Sequence, residues 1–495
     1  MVKVVYSRVL SVLAMLAAVS GIPAVQAQTA SGSTTPGTEL GNVVASSNSS
    51  TSLQVATADA IQNTCVGLGQ RDSLSAPESA LFTNCSDMVL TAFALDPNLS
   101  SDLSLGWTST QLAEGMQQLA GEEQTSTGRL ATETSNGQYA NLGMRLDAIR
   151  AGARATAGGI NVAVNGAPLT GGNAGDDGTG WGWFLNGGFG TGDRDATVRE
   201  NAYDYDSWGG TLGADYQFAS GLVAGVALGY YDYQVDFDDV SSAESGQKLV
   251  NTQAGGGFDT DGYALSGYLI GNFGRFYLDG LVSYGSSDLE SQRVVRYRGD
   301  SEQGKGGAEN RVVDRAMLGE TDSDSLTVGV STGTVFPFDW VDVSVDAGLS
   351  YLDVSVDGYT EKDLARGADT AEFSGLNLTY EDQDFDSLQS RIGVQLSRTV
   401  SFSGGVLLPY VSGSWRYEFK NDPTTVRARL AVQQEGQVFA VNARSDEPDD
   451  SFFEVGVGVS AVFANNLQGF VEYRTVAGLD EISADLFSIG VRGAF

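Results

Sequence analysis

Histidine is absent from all 495 residues. Without an imidazole the chain can build neither a Ser-His-Asp nor a Cys-His nucleophile and base, and it has no His-ligated zinc or iron site. A pair of carboxylates can still do acid–base work, but nothing singles out one pair among 62 acidic residues, so no enzyme is expected. Basic residues are scarce too, 28 in all, which leaves a formal charge of −34. A nucleic-acid partner would need a basic footprint and is not expected. After the N-terminus no run of about 20 apolar residues appears, so no membrane-spanning helix is expected. Prolines number nine and glycines 64, a balance that suits many strands joined by turns. The two cysteines, Cys65 and Cys85, are too few for a redox or metal site without histidine. They read instead as one disulfide closing a short loop, worth about 3 kcal/mol in the chain-entropy model.

The N-terminus has the three parts of a secretory signal. Lys3 and Arg8 give a basic start, Val9 to Val19 an apolar stretch, and Val25-Gln26-Ala27 a small-x-small site. Cleavage is expected between Ala27 and Gln28, and loss of the two cations takes the charge from −34 to −36. The apolar stretch is too short for an anchor and breaks at Gly21-Ile22-Pro23.

Residues 28 to about 60 are rich in Ser, Thr, Gly and Asn and read as a flexible mature N-terminus. Residues 61–108 carry the cysteine pair and scattered apolar positions (Leu81, Phe82, Val89, Leu90, Phe93), consistent with a small disulfide-tied helical region. From Thr110 to Ala153 the period turns helical. Leu112, Met116 and Leu119 share one face, as do Tyr139, Leu142, Leu146 and Ile149, with a polar middle that allows two helices. Arg145 and Arg150 fall near the end of the second, where the helix dipole favours cations. Residues 154–180 are glycine-rich and read as a linker.

From Trp181 onward the pattern is strand and loop. Val341, Val343, Val345, Ala347, Leu349 and Tyr351 alternate with Asp342, Ser344, Asp346, Gly348 and Ser350. The same alternation runs through 453–463 and through 487–495. Apolar residues facing lipid and small or polar ones facing a lumen would produce it. Twelve strands are expected, starting near Trp181, Tyr205, Leu222, Thr260, Arg275, Asp324, Val341, Asp384, Val406, Phe452, Leu467 and Ala484. The connections alternate between short and long, and aromatics cluster at strand ends (Tyr230, Tyr231, Phe338, Trp340, Trp415, Tyr417). An even strand number, short turns at one end and long loops at the other are the marks of a bacterial outer-membrane barrel.

Over residues 110–495 the chain resembles the autotransporters, which end in a twelve-stranded translocator barrel. The resemblance rests on Trp181-Gly182-Trp183, on the run from Asp206 to Gly213, on Gly225 to Tyr230, and on the terminal strand. It implies an all-β transmembrane fold: a twelve-stranded antiparallel barrel preceded by an α-helical linker and a small disulfide-tied N-terminal region. The divisions are then a signal peptide (1–27), a short passenger-like region (28–108), a helical and Gly-rich linker (109–177) and the barrel (178–495). Phe487, Ile489, Val491 and Phe495 look like the signal read by the outer-membrane assembly machinery. The run from Tyr139 to Arg150 resembles the helix that precedes, and partly plugs, such barrels. Inside the barrel it would meet Arg391, Arg416, Glu454, Glu472, Arg474 and Arg492, although lumen solvation and internal ion pairing account for these charges equally well. The implied partners are the outer-membrane bilayer, the assembly machinery and periplasmic chaperones, around a monomeric barrel.

Residues 28–108 depart from the family's long repeat-built passengers, being short and without repeats. Either the passenger is this small disulfide-tied segment, or the protein has kept the barrel and lost the export job, which leaves the N-terminal region on the cell surface or in the periplasm. Two further functions stay open: a porin-like passive channel, and a surface adhesin or interaction protein acting through long acidic loops. Those loops hold Asp204 and Asp206, Asp236 to Asp239, Asp259 and Asp261, Asp322 and Asp324, and Glu381 to Asp386. Such oxygen ligands could hold Ca²⁺ or Mg²⁺. None has the spacing of an EF-hand loop, so solvated acidity is the expectation and no cofactor is called for.

Overall fold

The computed structural model describes residues 38–126, 153–154, 161–164, 167–170 and 180–494, apart from 240–248, 274–275, 403–404, 433–440 and 464–466. The signal cleavage site, the helix expected over 139–150 and Phe495 lie outside the described residues.

Alternation of outward apolar and inward small or polar side chains builds twelve long strands. They are β1 (Gly180–Arg194), β2 (Tyr203–Gln217), β3 (Val223–Phe237), β4 (Gly256–Phe273), β5 (Phe276–Arg298) and β6 (Val312–Pro337). They continue as β7 (Asp342–Val356), β8 (Gln383–Ser397), β9 (Gly405–Glu418), β10 (Ser451–Phe463), β11 (Leu467–Ala477) and β12 (Ile482–Ala494). Each pairs antiparallel with its neighbours, and β12 returns to β1 from Ile482↔Arg194 to Ala494↔Gly182, which closes the barrel. Closure leaves no exposed strand edge, as a wall in lipid requires.

Outward side chains such as Leu185, Leu228, Leu265, Ile392, Val457 and Ile489 are exposed and apolar. Aromatic residues bound this band. Phe273, Phe276, Phe338 and Trp340 mark the short-turn end, while Trp208, Tyr230 and Tyr263 form a contiguous ring cluster towards the long loops. Tyr231, grouped with them in the sequence, instead points inward and is buried.

A strand of about 9–11 residues crosses a bilayer. β5 and β6 have 23 and 26 residues and pair with each other along 23 register positions, so they rise well beyond the apolar band. With Lys362–Ala365 on β6, and an antiparallel trio of Leu378–Tyr380, Thr425–Leu430 and Val441–Arg444, they form a crown at the long-loop end.

Upstream lie four helices, α1 (Glu39–Ala45), α2 (Ser52–Gly69), α3 (Ala76–Leu95) and α4 (Ser109–Ala120), then a 3₁₀ turn at Glu122–Ser126. Hydroxyl residues start all four. Thr38 caps α1, and Thr51 with Gln54, Ser75 with Glu78, and Thr108 with Gln111 form reciprocal capping boxes. The expectation of a flexible stretch up to residue 60 is thereby corrected from residue 38 onward. Caps satisfy the free backbone donors, and Leu40, Val44 and Ala58 are fully buried. Cys65 and Cys85 are disulfide-bonded, tying α2 to α3 with Cα atoms 5.8 Å apart. The stretch read as a linker contains a small antiparallel sheet of Ala153–Arg154, Asn161–Val164 and Ala167–Thr170.

The helices share one hydrophobic core with the crown. Leu40, Ile61, Leu81, Met88, Trp107, Leu112 and Met116 belong to the same buried cluster as Val295, Tyr297, Met317, Leu378, Tyr380, Val426 and Val441. Residues 38–126 thus form a cap seated on the long-loop end.

Candidate functional site

The site has two levels, a charged belt in the lumen and the cap above it. Alternation sends Arg391, Arg416, Glu454, Glu472 and Arg474 inward from β8 to β11, and the register brings them together. Arg416 Nε lies 3.0 Å from Glu454, Arg474 Nη1 lies 4.0 Å from the other Glu454 oxygen, and Arg474 Nη2 lies 2.8 Å from Glu472. Tyr410 donates to Glu472 at 3.0 Å, and Arg391 pairs with Asp346 on β7. Arg492, also buried, stands apart from this belt, opposite Gln468 towards the short-turn end. A cavity of about 910 Å³ occupies the upper lumen, with Arg416, Glu454 and Arg474 in its wall and Thr125 and Glu200 at its cap end. Phe487 and Ile489 of the terminal strand face outward and are exposed.

The cap is fastened by polar contacts within a buried interface. Arg293 on β5 holds Glu361 with Nε–Oε1 2.9 Å and Nη2–Oε2 2.6 Å, and neither side chain is exposed. Its third nitrogen donates to the Gln118 carbonyl of α4 at 2.8 Å. Gln118 accepts from the Arg296 backbone at 2.7 Å and donates to the Asn251 carbonyl. Trp107 donates to the Arg298 carbonyl at 2.8 Å and meets Tyr297 edge to face at 5.3 Å. Farther out, Arg311 reaches Asp87 of α3 at 2.5 Å, and Asn84 donates to the Ser374 carbonyl at 3.0 Å. α4 ends at Gly121, whose φ of +61° is left-handed, and a Cβ there would run into Tyr380 and Leu378.

Beyond Gly121 the 3₁₀ turn buries Glu122 and Glu123, 1 % and 5 % exposed. Glu123 accepts from Asn201 at 3.5 Å, while Gln124 accepts from Tyr359 at 2.8 Å. Burial pushes the Glu123 carboxyl up to about 7. Glu122 is driven well above the ordinary range by burial and by the neighbouring carboxylate of Glu123. Burial also opposes the charge on Arg293, but the Glu361 carboxylate outweighs it and holds the guanidinium above its usual value.

Five of the six charges expected in the lumen are thus brought together. The cap contacts were not foreseen, but a signal for the helices was present in Thr51-x-x-Gln54, Ser75-x-x-Glu78 and Thr108-x-x-Gln111. Nothing local marks Arg293 or Glu361 as buried.

Comparison with known proteins bears on the barrel. Outer membrane protein A of Rickettsia conorii is 23% identical over 266 residues, covering 53% of this chain and 11% of the relative. The Rickettsia rickettsii protein of the same name is 23% identical over 266 residues, with 10% of it covered. The chain therefore spans about a tenth of the length of these curated relatives. Among solved structures, the translocator domain of the autotransporter NalP from Neisseria meningitidis has a TM-score of 0.48 at 15% identity, covering 75% of this chain and 99% of that one. The Bordetella BrkA β domain has a TM-score of 0.40 at 18% identity, covering 64% of this chain and 100% of that one. The model of the autotransporter β-domain matches residues 183–474, more than half of the chain. With a closed twelve-stranded barrel, an alternating wall and a charged lumen beneath long loops, the chain belongs to the autotransporter β-domain family, whose barrels sit in the bacterial outer membrane.

Proposed function

We propose that this barrel carries its N-terminal helical region to the cell surface and anchors it there as a cap over its own mouth. The observation that supports this is topological. Residues 38–126 pack on the long-loop end, whereas β1 begins at Gly180 on the short-turn end. Long loops face outward in outer-membrane barrels, so the cap and the start of β1 stand at opposite ends of the barrel, as translocation of the N-terminal region would leave them. Thr125 borders the lumen cavity above the Arg416–Glu454–Arg474 belt, which favours passage of that region through the barrel. Signal-directed export, periplasmic chaperones and assembly-machinery recognition of Phe487, Ile489 and Val491 would precede this step. The proposal gives the chain no catalytic role, no metal and no cofactor.

Protease shaving of intact cells, with an epitope tag just after Gln28, tests it. Loss of the tag, with the barrel retained in the outer membrane, is the expected result. A tag protected until the outer membrane is permeabilised would place the region in the periplasm and end the proposal. A porin-like channel would need the mouth open, so deleting residues 38–126 should raise ion conductance if the cap closes it.

A further inference from the structure

Among the described residues the charges at the base of the cap do not balance. Five carboxylates gather there: Glu122 and Glu123 on the 3₁₀ turn, Glu200 in the β1–β2 loop, Glu361 after β7, and Asp446 before β10. Two arginines serve them, and both are already taken by crown residues. Arg293 is committed to Glu361, and Arg194 lies 2.9 Å from Glu200 and 3.1 Å from Asp446. Both Glu122 oxygens and one Glu123 oxygen are buried without a well-formed hydrogen bond, although the Gln117 side chain and the Asn201 backbone amide lie beside Glu122. The strands packed on this turn supply no cation, because Val426, Ala428, Val441 and Ala443 are their buried residues while Arg427 and Arg444 are exposed on the opposite face. Tyr359 and Tyr380 are the remaining titratable groups nearby, and both stay neutral well past physiological pH because burial raises them.

Two buried carboxylates with no ion-pair partner of their own, Glu123 helped only by the Asn201 side-chain amide and the nearby Arg293, are costly as anions, and protonation removes much of that cost. We propose that the cap–crown interface is a proton-linked latch, in which docking of residues 38–126 onto the crown takes up protons at Glu122 and Glu123 and loosens as the surroundings become alkaline. This deepens the proposed function, since it describes how the displayed region is held.

The direction follows from linkage. A carboxyl raised in the docked state contributes fully below its free value and loses that contribution as pH rises towards its docked value. For Glu123 the window runs from 4.5 to about 7. The docking constant should fall about tenfold per pH unit across it for each carboxyl involved. No histidine is present to confuse the reading, and both cysteines are oxidised.

The test uses the full chain in detergent micelles, with spin labels at Leu99→Cys on the cap and Val198→Cys on the crown, both exposed positions. The urea midpoint for loss of the docked distance is read at pH 5, 7 and 9. A midpoint that falls with pH in the parent, and stays at its pH 5 value in Glu122→Gln/Glu123→Gln, is expected. A midpoint independent of pH in the parent would overturn the latch, as would an unchanged pH dependence in that variant. Glu123→Gln alone should remove part of the slope, and a full slope there would also count against it. Because the readout is docking, failure of the latch leaves surface display intact, and only the tag experiment can sink that.

Discussion

Arg293 and Glu361 form a two-pronged ion pair with no exposed surface on either side chain, and the same guanidinium reaches the last turn of α4 through the Gln118 carbonyl. Removing one member strands the other. Arg293→Met should weaken cap docking by about 3–5 kcal/mol, seen as a lower urea midpoint for the cap with the barrel intact. Arg293→Met/Glu361→Leu should be less damaging than the sum of its parts, although the Leu378 amide then loses its 2.7 Å acceptor. Additive losses would mean that the two residues act independently.

Trp107 is 1 % exposed between cap and crown. Trp107→Ala should cost about 3–5 kcal/mol through the cavity it leaves. Trp107→Phe, which keeps much of the ring but loses the bond to the Arg298 carbonyl, should cost about 1–3 kcal/mol. Limited proteolysis between α3 and α4 would rank the two, and equal sensitivity to the parent would show that the indole is not a fastening point.

Reduction should act on the cap alone. The Cys65–Cys85 bond spans 20 residues, and a loop of that size contributes about 3 kcal/mol. Cys65→Ser/Cys85→Ser should therefore lower the thermal stability of α2 and α3, measured by hydrogen exchange. The heat-modified gel shift of the barrel should not change.

The lipid face can be probed at Val457, half exposed near the middle of β10. Val457→Arg should destabilise the barrel by about 2–4 kcal/mol if the side chain lies near the bilayer midplane. Reversible unfolding into urea from lipid vesicles reads this directly. A neutral result would place Val457 outside the apolar band.

Barrel and cap were not equally legible in the sequence. Lipid on one side and lumen on the other impose alternation along every strand, so twelve strands and their inward charges can be placed, with eleven starts within about four residues and only the start of β6 far off, at Asp324 instead of Val312. The upper reaches of β5 and β6 escape because their outward face is wet, and the stretch 291–322, with exposed polar residues such as Gln292, Arg298 and Glu320, reads as a long loop. In the cap, the disulfide-tied helical region and the face of Leu112, Met116 and Leu119 are legible, whereas α1, the first turns of α2 and the seat on the crown are not. The crown, hundreds of residues downstream, completes the core to which Leu40 and Met88 belong, so the seat of the helices on the barrel has no local signal. Buried Glu122 and Glu123 follow the same logic, since nothing within ten residues announces that Glu200 and Glu361 will face them.

The shared core also bears on timing. Asn84 finds its acceptor 290 residues later, at Ser374, and the Gln118 carbonyl finds its donor 175 residues later. Contacts of such span form slowly, because their loop entropy must be met before any of them rewards it. The helices bury apolar faces against one another as well as against the crown, so what waits for β5, β6 and the segments after them is the seat of the cap on the barrel. The seat of residues 38–126 therefore closes only once the crown strands exist, so the cap docks late although its helices lie early in the sequence.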